Sequence, residues 1–70
     1  MANAPLISVL LPVYNAEPYV AAAIQSILRQ DYGRLEVIAI DDGSTDKSLE
    51  ILERFRGDDS RVSIISRENR

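Results

Sequence analysis

The chain has 70 residues, enough for one domain with a small core, and its 46% apolar residues are typical of a folded protein. It contains no cysteine and no histidine, which excludes disulfides, thiolate metal sites and a histidine general base. A net charge of −3 with scattered basic residues argues against nucleic-acid binding. No apolar run approaches the roughly 18 residues of a membrane span, and no signal peptide is predicted. A cytoplasmic location is therefore expected, with membrane association left open for a longer protein.

The first predicted strand spans residues 6–13, an almost continuously apolar run that is typical of a strand buried on both faces. Because Pro12 cannot donate a ladder hydrogen bond, the strand should end close to it. A helix is predicted to begin near Pro18, since proline is favoured in the first turn. It should end around residues 29–31, with Gly33 in the turn. Its apolar positions fall on one face: Val20, Ile24, Ile27 and Leu28.

The second predicted strand, residues 35–40, leads into a short polar segment. Gly43 marks a tight turn at this point. Ser44 or Thr45 is expected to cap a second helix, with Asp46 in the first turn of that helix.

The second predicted helix carries one apolar stripe, formed by Leu49, Leu52 and Phe55, and should end at Gly57. A third strand is predicted over residues 61–66. The order β-α-β-α-β, with short loops, predicts a three-stranded parallel sheet with right-handed crossovers. This arrangement is half of a doubly wound, Rossmann-like nucleotide-binding architecture.

Ligands of such sheets bind beyond the carboxyl ends of the strands, where the sequence places two polar clusters. Tyr14 and Asn15 follow the first strand, while Asp41 and Asp42 follow the second. Successive side chains on a strand point to opposite faces, so one acid should face the ligand and the other should accept N–H groups of the next turn. A carboxylate there suits a base, a ribose or a divalent cation. The sequence lacks G-x-G-x-x-G and a P-loop lysine, so no phosphate cradle is predicted.

Each candidate residue also has a simpler structural interpretation. Tyr14 either stacks on a planar base or packs on the helix as a rim tyrosine. Asn15 is most simply an N-cap, and Glu17 an acid that complements the helix dipole. The acid pair Asp41 and Asp42 has the alternative of being two loop acids near a helix N-terminus.

Three segments jointly resemble a known family: SVLLPVYN at residues 8–15, IQSILRQ at residues 24–30 and DDGSTD at residues 41–46. In order and spacing they are similar to the start of a family 2 inverting glycosyltransferase of the GT-A fold. The resemblance implies a donor site for a nucleotide-sugar, often a UDP-sugar. It also implies transfer of the sugar to an acceptor hydroxyl, with the acceptor unknown.

The resemblance further implies roles for individual residues. The tyrosine that matches Tyr14 stacks near the base, and the acid that matches Asp42 takes the base N–H. The backbone at Pro12 and Val13 lines the nucleoside pocket, and Glu17 lies near the ribose.

The resemblance covers nearly the whole chain, but only the N-terminal portion of such an enzyme. The family's metal-binding Asp-x-Asp and its catalytic base come later than residue 70. Residues 1–70 are therefore expected to form a single partial domain with no catalytic residue and no metal ligand, inactive by itself. Mg²⁺ or Mn²⁺ is expected in the full-length enzyme.

Two other classes of function stay open at this point. A receiver-like, Mg²⁺-dependent phosphotransfer domain would use the acid pair as metal ligands, but Ser66 and Arg67 stand where it needs a further acid. A non-catalytic interaction module would pair through an exposed strand edge. Residues 6–13 would form such an edge, which predicts self-association.

Overall fold

The computed structural model describes residues 5–30 and 34–67. Two helices alternate with three strands, in the order β1 (Ile7–Val13), α1 (Glu17–Leu28), β2 (Leu35–Asp42), α2 (Ser48–Asp58) and β3 (Val62–Arg67). The predicted β-α-β-α-β order is confirmed. The turn predicted at Gly33 lies outside the described residues.

The sheet is parallel, with β2 in the centre and the strand order β1-β2-β3. The last register pair of β1 and β2 joins Val13 to Asp41, and the last pair of β2 and β3 joins Asp42 to Arg67. The carboxyl ends of the strands therefore lie at one edge of the sheet, as the sequence predicts. β2 runs two residues further than expected, so both acids belong to the strand.

Both helices cover the same face of the sheet, because two right-handed crossovers that advance in one direction place their helices on one side. Val20 and Ile24 of α1 and Leu52 of α2 are buried against Val13 and Ala39 of the sheet. Alternate residues of β2 point into this core: Leu35, Val37, Ala39 and Asp41. In the described part of the chain, neither helix is long and apolar enough to cross a membrane.

The opposite face of the sheet is open in this structure. Leu10 of β1 is 62% exposed, and Ile65 of β3 is exposed on the same face. The prediction that the first strand is buried on both faces is wrong here, because no described element covers this side. Among the described strands β1 pairs only with β2, so its other edge is unpaired.

Candidate functional site

The candidate site lies where β1 and β2 end and their loops begin. Asn15, one residue beyond Tyr14, has a φ of 47°, and Gly43, directly after Asp42, has a φ of 78°. Both angles are in the left-handed region, which asparagine tolerates and glycine adopts without a steric cost. The chain therefore turns sharply just after Tyr14 and just after Asp42.

The two adjacent acids point to opposite faces of the sheet. Asp41 is 2% exposed, and its Oδ1 has no hydrogen-bond partner among residues 5–30 and 34–67. That oxygen does not hold the following turn, contrary to the expectation for the inward-facing acid. The side chain of Asp42 is 48% exposed, with its Oδ1 3.7 Å from Nε of Arg67. This ion pair is too exposed and too long to immobilise Asp42 strongly.

The residues that end β1 differ in what they expose. Pro12 is exposed, whereas the side chain of Val13 is in the core, so only the backbone of Val13 can contribute to a surface site. Tyr14 is 53% exposed. An aromatic ring and a carboxylate, those of Tyr14 and Asp42, thus stand exposed at the same edge of the sheet.

The Asn15 side chain does not cap its own helix, so the N-cap prediction is wrong. Its Oδ1 instead accepts hydrogen bonds from the amides of Thr45, at 2.7 Å, and Asp46, at 3.3 Å. In the opposite direction, the backbone amide of Asn15 donates to Oγ of Ser44 at 3.0 Å. Ser44 and Thr45 were expected to cap α2, but α2 begins only at Ser48.

The start of α1 is capped by side chains from the β2–α2 loop and from the first residue of α2. The Ala16 amide donates to Oγ of Ser48 at 2.9 Å, and the Glu17 amide donates to Oδ2 of Asp46 at 3.1 Å. Conversely, Oε1 of Glu17 accepts the amide of Lys47 at 3.1 Å. Each loop therefore supplies acceptors for the amides of the other, an arrangement that becomes possible only when both loops lie at one sheet edge.

We call residues 15–17 and 44–48 together the loop brace. Asp46 is central to it, because its Oδ1 also accepts the Ser48 amide at 2.9 Å while its Oδ2 accepts the Glu17 amide. A side-chain hydrogen bond with Ser48 is the largest cause that holds the pKa of Asp46 below its ordinary value, and the amides of Ser48 and Glu17 lower the pKa further.

The loop brace determines what the two helix starts can bind. The backbone amides of residues 15–17 and 45–48, which lie just before each helix and at its first residue, all donate to side-chain oxygens. A phosphate would have to displace these oxygens and lie beside the carboxylates of Glu17 and Asp46. The site therefore favours a ligand with neutral N–H or O–H donors.

The same residues do not fit a divalent cation. Within the described ranges, no group of three or more acidic, histidine or cysteine side chains could hold a metal ion. Asp41 and Asp42 cannot offer oxygens to one ion jointly, because they lie on opposite faces of the sheet.

A parallel β-α-β-α-β sheet with a polar site at its carboxyl edge is the architecture of half of a doubly wound α/β fold. Residues 8–70 match the sequence model of glycosyl transferase family 2, and the chain belongs to this family.

Similar proteins agree with this assignment. The chain is 53% identical over 62 residues to an uncharacterized glycosyltransferase of Haemophilus influenzae, an overlap of 89% of this chain and 25% of that protein. It is 45% identical over 65 residues to glycosyltransferase GlyG of Streptococcus pneumoniae, covering 93% of this chain and 22% of GlyG. The chain thus spans about a quarter or less of these relatives.

Two solved structures share the fold. The mannosyltransferase PcManGT of Pyrobaculum calidifontis, solved with GDP-Man and Mn²⁺, superposes with a TM-score of 0.86 at 26% identity, covering 97% of this chain and 21% of that one. S. aureus TarS superposes with a TM-score of 0.81 at 33% identity, covering 93% of this chain and 20% of that one. The expectation of a Rossmann-like portion of a GT-A fold is confirmed.

Proposed function

We propose that this chain forms the nucleoside-binding part of the donor site in a glycosyltransferase that moves a sugar from a nucleoside diphosphate to an acceptor hydroxyl. The supporting observation is the half-exposed carboxylate of Asp42 at the carboxyl end of the central strand. It accepts hydrogen bonds but cannot donate one, so it selects a base with an N–H group.

Other residues of the site take complementary roles in this proposal. The exposed ring of Tyr14 stacks on the base, a contact worth about 1–3 kcal/mol in single-strand binders. The backbone of Pro12 and Val13 lines the base pocket. Glu17, at the start of α1, lies on the ribose side. Asp41 supports the site only from the core side of the sheet, because its side chain is buried.

Uracil is the base that we propose, because its N3–H can donate to Asp42 whereas cytosine presents an acceptor at that position. Guanine also offers N–H donors, and PcManGT was solved with GDP-Man. A guanine nucleotide is therefore the alternative ligand, and a titration with both nucleotides distinguishes the two.

Sugar transfer itself is proposed for the complete enzyme. The overlap with this chain covers only 25% and 22% of the two bacterial relatives, and we assign the metal, the catalytic base and the acceptor site to their additional segments. Mg²⁺ or Mn²⁺ is proposed as that metal, in line with the Mn²⁺ of PcManGT. The 70 residues alone are expected to be inactive. A phosphotransfer function is less well supported, because the acid pair is split between two faces.

Nucleotide titration of paired variants tests the proposal. Asp42→Asn should weaken UDP binding about tenfold, the lower end of the range for a charge-assisted hydrogen bond, because the carboxylate is half exposed to water. Asp42→Asn should also reduce the ratio of the affinity for UDP to the affinity for CDP. Asp41→Asn, a change of the same chemistry on the buried side, should leave UDP affinity unchanged. If only Asp41→Asn weakens UDP binding, the roles are reversed, and if neither variant does, the proposal is wrong.

The open side of β1 supports a second proposal, that copies of this chain associate through residues 6–13. Leu10 is exposed, and the outer edge of β1 has no partner strand within the described chain. An exposed apolar strand edge is a template for pairing with another strand.

A further inference from the structure

The two residues proposed to contact the nucleoside lie directly before the loop brace. Tyr14 precedes Asn15, and only Gly43 separates Asp42 from Ser44. We propose that Asn15 is a positioning residue, whose side chain fixes the separation of the Tyr14 ring and the Asp42 carboxylate. This inference rests on the nucleoside site proposed above.

The first argument is where the backbone ladder stops. Val13 and Asp41 are the last register pair between β1 and β2. Beyond this pair, no strand pairing ties Tyr14 to Asp42. The hydrogen bonds of Asn15 begin two residues past Val13 and take over the connection between the two chain segments.

The second argument is how many bonds converge on one side chain. Oδ1 of Asn15 accepts the Thr45 amide at 2.7 Å, the Asp46 amide at 3.3 Å and the Thr45 hydroxyl at 3.3 Å. The Asn15 amide donates to Oγ of Ser44 in return. Removing this one side chain deletes the three hydrogen bonds to Oδ1, whereas those of residues 16, 17 and 47 remain. The segment that follows Asp42 then loses its side-chain connection to the residue that follows Tyr14.

The backbone at Asn15 dictates which substitutions are informative. Its φ of 47° would strain most side chains, but glycine and aspartate tolerate this region. Asn15→Gly therefore keeps the turn and deletes the acceptor. Asn15→Asp keeps both the turn and an acceptor oxygen in the same place, and serves as the conservative rescue variant.

The test is a titration of UDP and GDP, followed by NMR amide shifts, at a temperature where every variant is folded by circular dichroism. Asn15→Gly should weaken the binding of UDP and of GDP by about fivefold, the equivalent of one lost hydrogen bond. Both nucleotides should be affected, because the change disturbs the separation of Tyr14 and Asp42 and not the recognition of one base. Asn15→Asp should stay within about twofold of the parent. In the ligand-free chain, Asn15→Gly should also speed hydrogen exchange of the Thr45 amide.

Val62→Ala is the matched control for lost stability. Val62 is buried at the start of β3, at the other end of the sheet from the loop brace. This variant should melt at a lower temperature and bind UDP as the parent does. If Asn15→Gly behaves in the same way, with unchanged affinity for UDP, Asn15 has only a structural role and the inference is wrong. If the parent binds neither nucleotide, the proposed function itself fails, and the inference fails with it.

Discussion

Ser48 should contribute more to stability than its position at a helix start suggests. It is fully buried, and its Oγ accepts the amide of Ala16 from the other loop. Ser48→Ala removes this acceptor and leaves a partly buried N–H group without its partner. It also removes the side-chain hydrogen bond with Asp46, whereas alanine itself fits the first turn of a helix well.

The magnitude follows from that orphaned amide. An unsatisfied buried donor costs about 1–3 kcal/mol, and the partial burial of Ala16 places this case at about 1–2 kcal/mol. A core of this size rarely supplies more than roughly 3–5 kcal/mol, so about a third of the total stability is at stake. For a domain of this length, the melting temperature should fall by about 5–15 °C.

Urea and thermal unfolding, followed by far-UV circular dichroism at one protein concentration, measure this effect. Ser26→Ala is the control, because Ser26 is an exposed serine within α1 and its loss should change the free energy of unfolding by less than about 0.5 kcal/mol. The dependence of that free energy on urea should be the same in both variants. Equal melting temperatures for Ser48→Ala and Ser26→Ala would refute the reasoning.

Two further predictions concern acid sensitivity and association. The loop brace lowers the pKa of Asp46, so the ionised carboxylate of Asp46 should stabilise the folded state. This stabilisation should be fully present at a pH above the ordinary pKa of 3.8, and it should be lost as the pH falls through the lower pKa of the folded state. Asp46→Asn should therefore flatten the dependence of the melting temperature on pH below about pH 4, whereas Glu53→Gln, on the exposed side of α2, should leave that dependence in place. Sedimentation velocity should show dimers or larger species that Leu10→Lys reduces, since the lysine charge blocks pairing at β1. A compact, cooperatively melting monomer of the parent at high concentration would contradict this.

The order and type of the elements were predictable because their signals are local. Apolar runs such as residues 35–40, the proline at position 18 and the glycine at position 43 mark strands, a helix start and a turn without reference to the rest of the chain. The alternation of burial at Asp41 and Asp42 followed from the geometry of a strand alone. Burial of β1 was predicted less well, because an apolar sequence does not reveal which elements cover it.

The caps were mispredicted for a different reason. Asn15 and Ser44 are residue types that local statistics favour as caps of the helix that follows each of them, but α1 begins only at Glu17 and α2 only at Ser48. Their actual partners lie about 30 positions away in the sequence. The signal that could have shown this is the combination of two short polar loops with a parallel sheet that places both at one edge. The capping role of Ser48 was not predicted, because its hydroxyl accepts the backbone amide of Ala16, which is distant in the sequence.

The occupied amides at the two helix starts have a consequence for donor affinity. Since the backbone amides of residues 15–17 and 45–48 already donate to side-chain oxygens, these amides should add little affinity for a diphosphate. The contribution of this part of the protein to donor affinity should come from the base and the ribose. If the proposed site is correct, the 70-residue chain alone should bind a plain nucleoside about as well as the nucleoside diphosphate. In the complete enzyme, a preference for the diphosphate would then come from the metal that we propose in the additional segments.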